Sequence, residues 1–267
     1  MFIEYLEKLR SNGNRYFTSQ KIMQDLNLSS NTARAGLYRL KRVGKLISPV
    51  NGLYIIVPPE HKIYGSIPAE ELIPIMMKHI NAEYYVALLS AAGFYGASHQ
   101  KPMVFQVITN KRIKHSLKFG LVHIKLIYKK SLAVAPIKDF VVSTGYLKVA
   151  TPELIAIDLL KFIKHAGGMN NIATVLSELI ESIDVHKLVE LAENLDERYQ
   201  LQRLGYIIEK IDVMDDDIKK AIIEVLTEYV SSNTKSYTPL ASSISRIGYP
   251  RCKKWKIIEN TDFESDL

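Results

Sequence analysis

The chain has 267 residues, is 47% hydrophobic and carries a net charge of +7. That supplies a buried core for one large or two modest domains and excludes wholesale disorder. No run approaches the roughly 18–20 apolar residues of a membrane helix, and the single cysteine, Cys252, excludes an internal disulfide and a thiolate metal cluster.

The segment Met1–Lys8 carries acids early and has no apolar signal core, so a reducing cytoplasm is the expected location. Charge is spread unevenly. Residues 1–57 carry a net +6, residues 58–150 +7, and residues 151–230 −8. The first half suits a polyanion, which the acidic stretch would repel.

Three helical patterns open the chain. Phe2, Leu6 and Leu9 share a face, and Asn12-Gly13-Asn14 stops that helix. Thr18 is placed to cap a second helix, with Ile22 and Leu26 inward. Ser29 or Ser30 caps a third, which buries Ala33, Leu37 and Leu40 and ends at Gly44, a residue suited to a left-handed C-terminal cap. Asn51-Gly52 then lies between two apolar runs, the strongest short signal for a hairpin. Three helices and a hairpin spell a winged helix-turn-helix over residues 1–60, closed by Pro58-Pro59.

Beyond this boundary, at residues 58–68, helix-like stretches cover Glu70–His79 and Tyr84–Tyr95. Strand-like runs follow at Met103–Thr109, Leu121–Tyr128 and Phe140–Val149. Thr151-Pro152-Glu153 then starts a helix: Thr151 as cap, Pro152 at the first helical position, Glu153 at the positive end of the dipole. Helical spacing continues to about residue 231, with Asp215-Asp216-Asp217 at one start. The tail is loop-like, with a strand expected at Trp255–Ile258. The expected fold is α+β: a winged helix-turn-helix, then an effector domain over 68–267 built from a mixed sheet and a helical, acidic C-terminal half.

The third helix presents Asn31, Thr32, Arg34, Ala35, Tyr38, Arg39, Lys41 and Arg42 outward. Asn31, Arg34, Ala35, Tyr38 and Arg42 recur at near-helical spacing and form one stripe. A major-groove helix needs this pattern, with early residues at base edges and later cations on phosphate. Arg34 suits guanine and Asn31 adenine. Ser29 and Thr32, with the helix N-terminus, suit phosphate. Lys45 and the tip residue Asn51 suit an adjacent groove or backbone. Winged helices also serve as protein-interaction modules; the charge concentrated here favours duplex DNA.

Catalytic signatures are missing. The seven histidines (His61, His79, His99, His115, His123, His165, His186) form no recognised ligand spacing. There is no GxSxG elbow, P-loop or GxGxxG, and Gly65-Ser66 lacks the spaced carboxylates of a nucleotidyltransferase. No cofactor or metal is expected. Asp158 stands alone in an apolar helix, where a carboxylate needs a partner; Arg203 or a backbone N–H group is the expected one.

Five segments together resemble the AbiEi-type antitoxins of type IV toxin–antitoxin (abortive infection) systems. They are Leu40–Leu46 running into Asn51–Tyr54, Tyr84–Gly96, Val149–Glu153 leading to Asp158–Leu160, Arg203–Glu209, and Tyr237–Leu240 followed by Gly248, Trp255 and Asn260. The chain departs at Tyr95-Gly96, where the family often has His-Gly. The resemblance implies a non-enzymatic protein whose N-terminal domain binds operator DNA and represses its own operon. Its C-terminal domain would counteract a nucleotidyltransferase-type toxin, typically without a stable complex. Lys111, Arg112, Lys114 and Lys125 are candidates for further contacts. The alternatives are a stand-alone winged-helix regulator with a ligand-sensing second domain, and an enzyme with an unrecognised site.

Overall fold

The computed structural model describes residues 1–97, 102–113 and 116–264; His99, Lys114 and His115 lie outside them. The chain divides into two compact units. One comprises Met1–Tyr84, Met103–Lys130 and Asp139–Leu147; the other comprises Tyr85–Pro102, Ser131–Lys138 and Lys148–Leu267. Among the described residues no helix is long and apolar enough to cross a membrane.

The first unit opens with α1 (Phe2–Ser11), β1 (Tyr16–Thr18), α2 (Ser19–Asp25), α3 (Ser30–Arg42), β2 (Leu46–Ile47) and β3 (Leu53–Ile56). The Thr18 hydroxyl accepts the Lys21 N–H at 3.1 Å, so the expected cap of α2 forms. Asn27, at φ 49°, turns the chain toward α3, a conformation its short polar side chain tolerates. The three strands pair antiparallel in the order β1-β3-β2, with Leu46 opposite Ile56 and Tyr16 opposite Ile55. The strand β1 carries no sequence signal of its own, because three residues are too few to alternate.

Tyr5, Leu6, Phe17, Ile22, Leu37, Leu40, Leu46 and Ile56 form the core of this module. The Phe17 ring stacks on Tyr54 and meets Tyr5 edge-on, both at 5.7 Å between centroids. Gly36 admits the Phe2 ring: a Cβ there would lie 2.2 Å from it.

Next come α4 (Ala69–His79), β4 (Tyr84–Val86) and α5 (Leu88–Ala92). The helix expected over Tyr84–Tyr95 is therefore corrected. Its first three residues, aromatic and β-branched, form a buried strand, and Leu88 at φ 52° breaks strand from helix.

With β5 (Phe105–Thr109), β6 (Ser116–Phe119), β7 (Val122–Tyr128), β8 (Ile137–Val142) and β9 (Gly145–Ala150), a six-stranded sheet runs β6-β7-β5-β4-β9-β8. It is mixed, as expected. β5 pairs parallel to β7 from Phe105↔Ile124 to Thr109↔Tyr128, β4 pairs parallel to β9 at Val86↔Val149, and β6 runs antiparallel to β7. The single strand expected over Phe140–Val149 is two, parted at Ser143-Thr144, with Gly145 at φ 126°.

The second unit continues with α6 (Pro152–Lys161), α7 (Met169–Leu179), α8 (Val185–Asn194), α9 (Tyr199–Lys210) and α10 (Asp216–Asn233). A small sheet follows, formed by β10 (Thr238–Pro239), β11 (Arg251–Cys252) and β12 (Ile257–Ile258) in the order β10-β12-β11. Every residue of α6 from Pro152 to Leu160 is buried, as its apolar composition requires. Thr151 sits at the cap position, but its hydroxyl makes no capping bond, which corrects that expectation; Pro152 fills the first helical position.

Candidate nucleic-acid interface

The third helix, α3, buries Ala33, Gly36, Leu37 and Leu40 and turns its polar stripe to solvent. Ser29, Asn31, Thr32, Arg34, Tyr38, Arg39, Lys41, Arg42, Lys45 and Asn51 are all exposed. Tyr38 is 61% exposed, far more than a phenol ring needs for a packing role.

At the helix start, the Ser29 hydroxyl accepts the Thr32 N–H at 3.2 Å, and the two hydroxyls lie 2.9 Å apart. The cap therefore uses one of the N-terminal donors. At the other end Gly44, at φ 71°, closes the helix. Its N–H reaches Lys41 O and the Lys45 N–H reaches Leu40 O, both at 3.0 Å. Lys45 thus leaves the helix in a fixed direction and leads straight into β2.

Electrostatically the face is unneutralised. α3 contains no acidic residue, and Arg34, Arg39, Lys41, Arg42 and Lys45 form no ion pair among the described residues. Arg39 Nε donates to Ala35 O at 3.3 Å, which lays that guanidinium along the helix. Two cations elsewhere in the module are paired: Lys21 with Asp25 and Arg15 with Glu71, each at 2.7 Å.

The hairpin tip is held from outside the first sixty residues. His79 Nε2, at the end of α4, lies 3.1 Å from Asn51 O, so Nε2 carries the proton and donates. Arg15 also reaches Ser143 Oγ at 3.0 Å. These long-range supports leave no local signal in the sequence. Among the other basic candidates, Lys111 is tied to the Ile80 carbonyl and Arg112 lies 4.8 Å above the Tyr128 ring. Lys125 is half-buried in β7, opposite Ser116.

In the second unit the isolated carboxylate has a partner. Tyr85 donates its hydroxyl to Asp158 Oδ2 at 2.7 Å, and burial and the neighbouring charge push the phenol pKa up. Arg203, one of the two partners expected for it, instead donates to Pro239 O at 2.9 Å and Gln200 Oε1 at 3.2 Å. Arg203 belongs to α9, whose Gly205 and Glu209 receive Trp255: a Cβ on Gly205 would lie 2.0 Å from the indole, and the indole N–H donates to Glu209 Oε2 at 2.6 Å. Asn260 ties down the tail through bonds with Ala241 N and O, each at 2.9 Å. The Asp215 carboxylate caps α10, accepting from Asp217 N and Ile218 N at 2.9 and 3.1 Å. Among the described residues no three His, Cys, Asp or Glu side chains gather to hold a metal.

Residues 85–210 match the family model of the AbiEi antitoxin C-terminal domain. No curated protein matches the chain. The crystal structure of RV2827C protein from Mycobacterium tuberculosis is similar over 98% of this chain and 90% of that one, with 17% identity and a TM-score of 0.66. At that identity the likeness is one of fold. The antibiotic-resistance factor ANT(2'')-Ia matches at 10% identity, over 48% of this chain and 89% of that one, with a TM-score of 0.33. An antigenic nucleotidyltransferase-like protein from Paracoccidioides brasiliensis matches at 12% identity, over 54% and 92%, with a TM-score of 0.31. Likenesses that loose carry no argument.

Proposed function

We propose, because residues 85–210 match the family model of the AbiEi antitoxin C-terminal domain, that the chain is the antitoxin of a type IV toxin–antitoxin system that binds its own operator and represses its operon. In this reading residues 1–60 are a cytoplasmic winged helix-turn-helix module for duplex DNA. Residues 68–267 counteract a nucleotidyltransferase-type toxin without catalysing a reaction and without needing a stable complex.

The observation that carries the DNA assignment is the row of exposed cations on α3, unpaired among the described residues and directed away from the module's core. The order helix-strand-helix-helix-strand-strand, with the first strand beside the hairpin, supports a winged module. Asn31 and Arg34 would face base edges, and Ser29, Thr32, Arg39, Lys41 and Arg42 the phosphates. Tyr38 would lie between those two sets. Lys45 and Asn51 would reach the flanking backbone.

The test is the affinity for a duplex spanning the region upstream of the gene, measured at fixed salt. Arg34→Ala with Arg39→Ala is expected to weaken binding at least tenfold. The log–log salt slope should also fall by about 0.9 for each phosphate that is no longer neutralised. Unchanged affinity would remove the recognition assignment. Separately, co-expression with a nucleotidyltransferase-type toxin encoded beside the gene should restore growth, and the double variant should still protect.

A further inference from the structure

Within the first unit, an open cavity of about 240 Å³ lies between α1, the C-terminal end of α3 and the base of the hairpin. Its apolar lining includes the buried Leu6 and Ile56, with Ile3 and Val43 left 50% and 60% exposed at the edge. Around the mouth stand three cations, Arg10, Lys45 and Lys62, and one acid, Glu7. None of the four makes a side-chain hydrogen bond or ion pair among the described residues. Three carbonyls of the last turn of α3, Arg39 O, Leu40 O and Lys41 O, are bonded to the Val43, Lys45 and Gly44 N–H groups, and the three cationic side chains outnumber the one acid at the mouth.

An apolar recess ringed by an excess of positive charge fits an amphipathic anion. The volume lies below the roughly 300–1,000 Å³ of sites for drug-sized ligands, which limits the guest to one ring or a short chain. We propose that this cavity binds a small aromatic or short-chain monocarboxylic acid, its carboxylate against Arg10, Lys45 and Lys62 and its apolar end over Leu6 and Ile56.

The location gives the guest a consequence. Val43 caps α3, and the Lys45 backbone joins α3 to the hairpin, its N–H bonding Leu40 O and its carbonyl accepting the Val57 N–H, both at 3.0 Å. A bound acid engages Lys45 and props the joint between helix and hairpin. It thereby lowers affinity for duplex DNA, an effect that rests on the DNA-binding reading, whereas the binding itself does not.

Calorimetric titration of the full chain with phenylacetate and hexanoate, and with phenylacetamide as the neutral isostere, tests the site. At least one acid should bind one-to-one, and phenylacetamide at least tenfold more weakly than phenylacetate. Arg10→Gln with Lys62→Gln should weaken the acid at least tenfold and leave the ligand-free melting curve unchanged. Absence of binding by both acids, equal affinity for the amide, or an unmoved double variant would each overturn the site. So would concentration-dependent dimerisation abolished by Ile3→Asp, which would put a second copy over the cavity. Saturating acid should lower duplex affinity at least threefold. Intact acid binding with unchanged duplex affinity would overturn the inhibitory role, and failure of the ligand-free protein to bind any duplex would fall on the DNA reading.

Discussion

Gly36 and Gly205 both make room for a ring, yet their substitution should have unequal effects. A Cβ at Gly36 meets the outer edge of Phe2, a half-buried side chain at the start of the chain that has room to move. A Cβ at Gly205 meets Trp255, which is fully buried. Gly205→Ala should therefore destabilise by about 1–3 kcal/mol through overpacking, and Gly36→Ala by clearly less, as urea melts would show. Both glycines sit mid-helix, where sequence reasoning counts them only as a propensity penalty. Arg203–Glu209 and Trp255 were legible as separate resemblance segments, but that one receives the other is a tertiary fact.

Glu209 adds a pH dependence to the same contact. Burial pushes its carboxyl up, and hydrogen bonds from Lys254 and the Trp255 indole outweigh that, leaving it below the ordinary 4.5. A carboxyl depressed in the folded state contributes stability that is present above pH 4.5 and lost as pH falls through the folded value. Glu209→Gln should lower stability at neutral pH and flatten the acid limb. A variant whose urea midpoint falls below pH 4.5 as steeply as the parent's would contradict this.

Among the elements, two helix starts that look alike in sequence differ in structure. The Ser29 hydroxyl accepts the Thr32 N–H, whereas the Thr151 hydroxyl is buried without a partner. Ser29→Ala should cost about 1 kcal/mol. Thr151→Ala should cost less or stabilise, because it removes an unsatisfied buried group. The Thr18 and Ser29 caps, the third helix and the hairpin were legible because each depends on neighbours within a few residues. β1, β6 and the division of Phe140–Val149 were not, because short strands are fixed by the strand they pair with rather than by their own pattern. The candidate interface follows the same rule. Its exposed stripe came from helical spacing, while the His79 and Arg15 supports join residues far apart in sequence.

For the molecule as a whole, the reversal of charge along the chain sets where a polyanion can approach. The net −8 of residues 151–230 should hold duplex DNA to the basic half. Reversing several of those acids to lysine should therefore raise non-specific duplex affinity at low salt, with the gain disappearing as salt screens it. The asymmetry was visible before any element was assigned. The grouping of distant segments into units was not, because it depends on strand partners that lie far apart along the chain.

That grouping has a consequence during synthesis. All eight residues at the centre of the module's core lie between Tyr5 and Ile56, so this cluster can form early on the ribosome. The unit around it is completed only when Leu147 has been made, after Tyr85–Pro102 and Ser131–Lys138 of the other unit have already been synthesised. At roughly 5–20 residues per second the nascent chain spends several seconds with strands waiting for partners not yet translated. A transcript broken before the codon for Leu147 would yield a polypeptide with a partly formed first unit and unpaired strand edges, a substrate for chaperones and proteases.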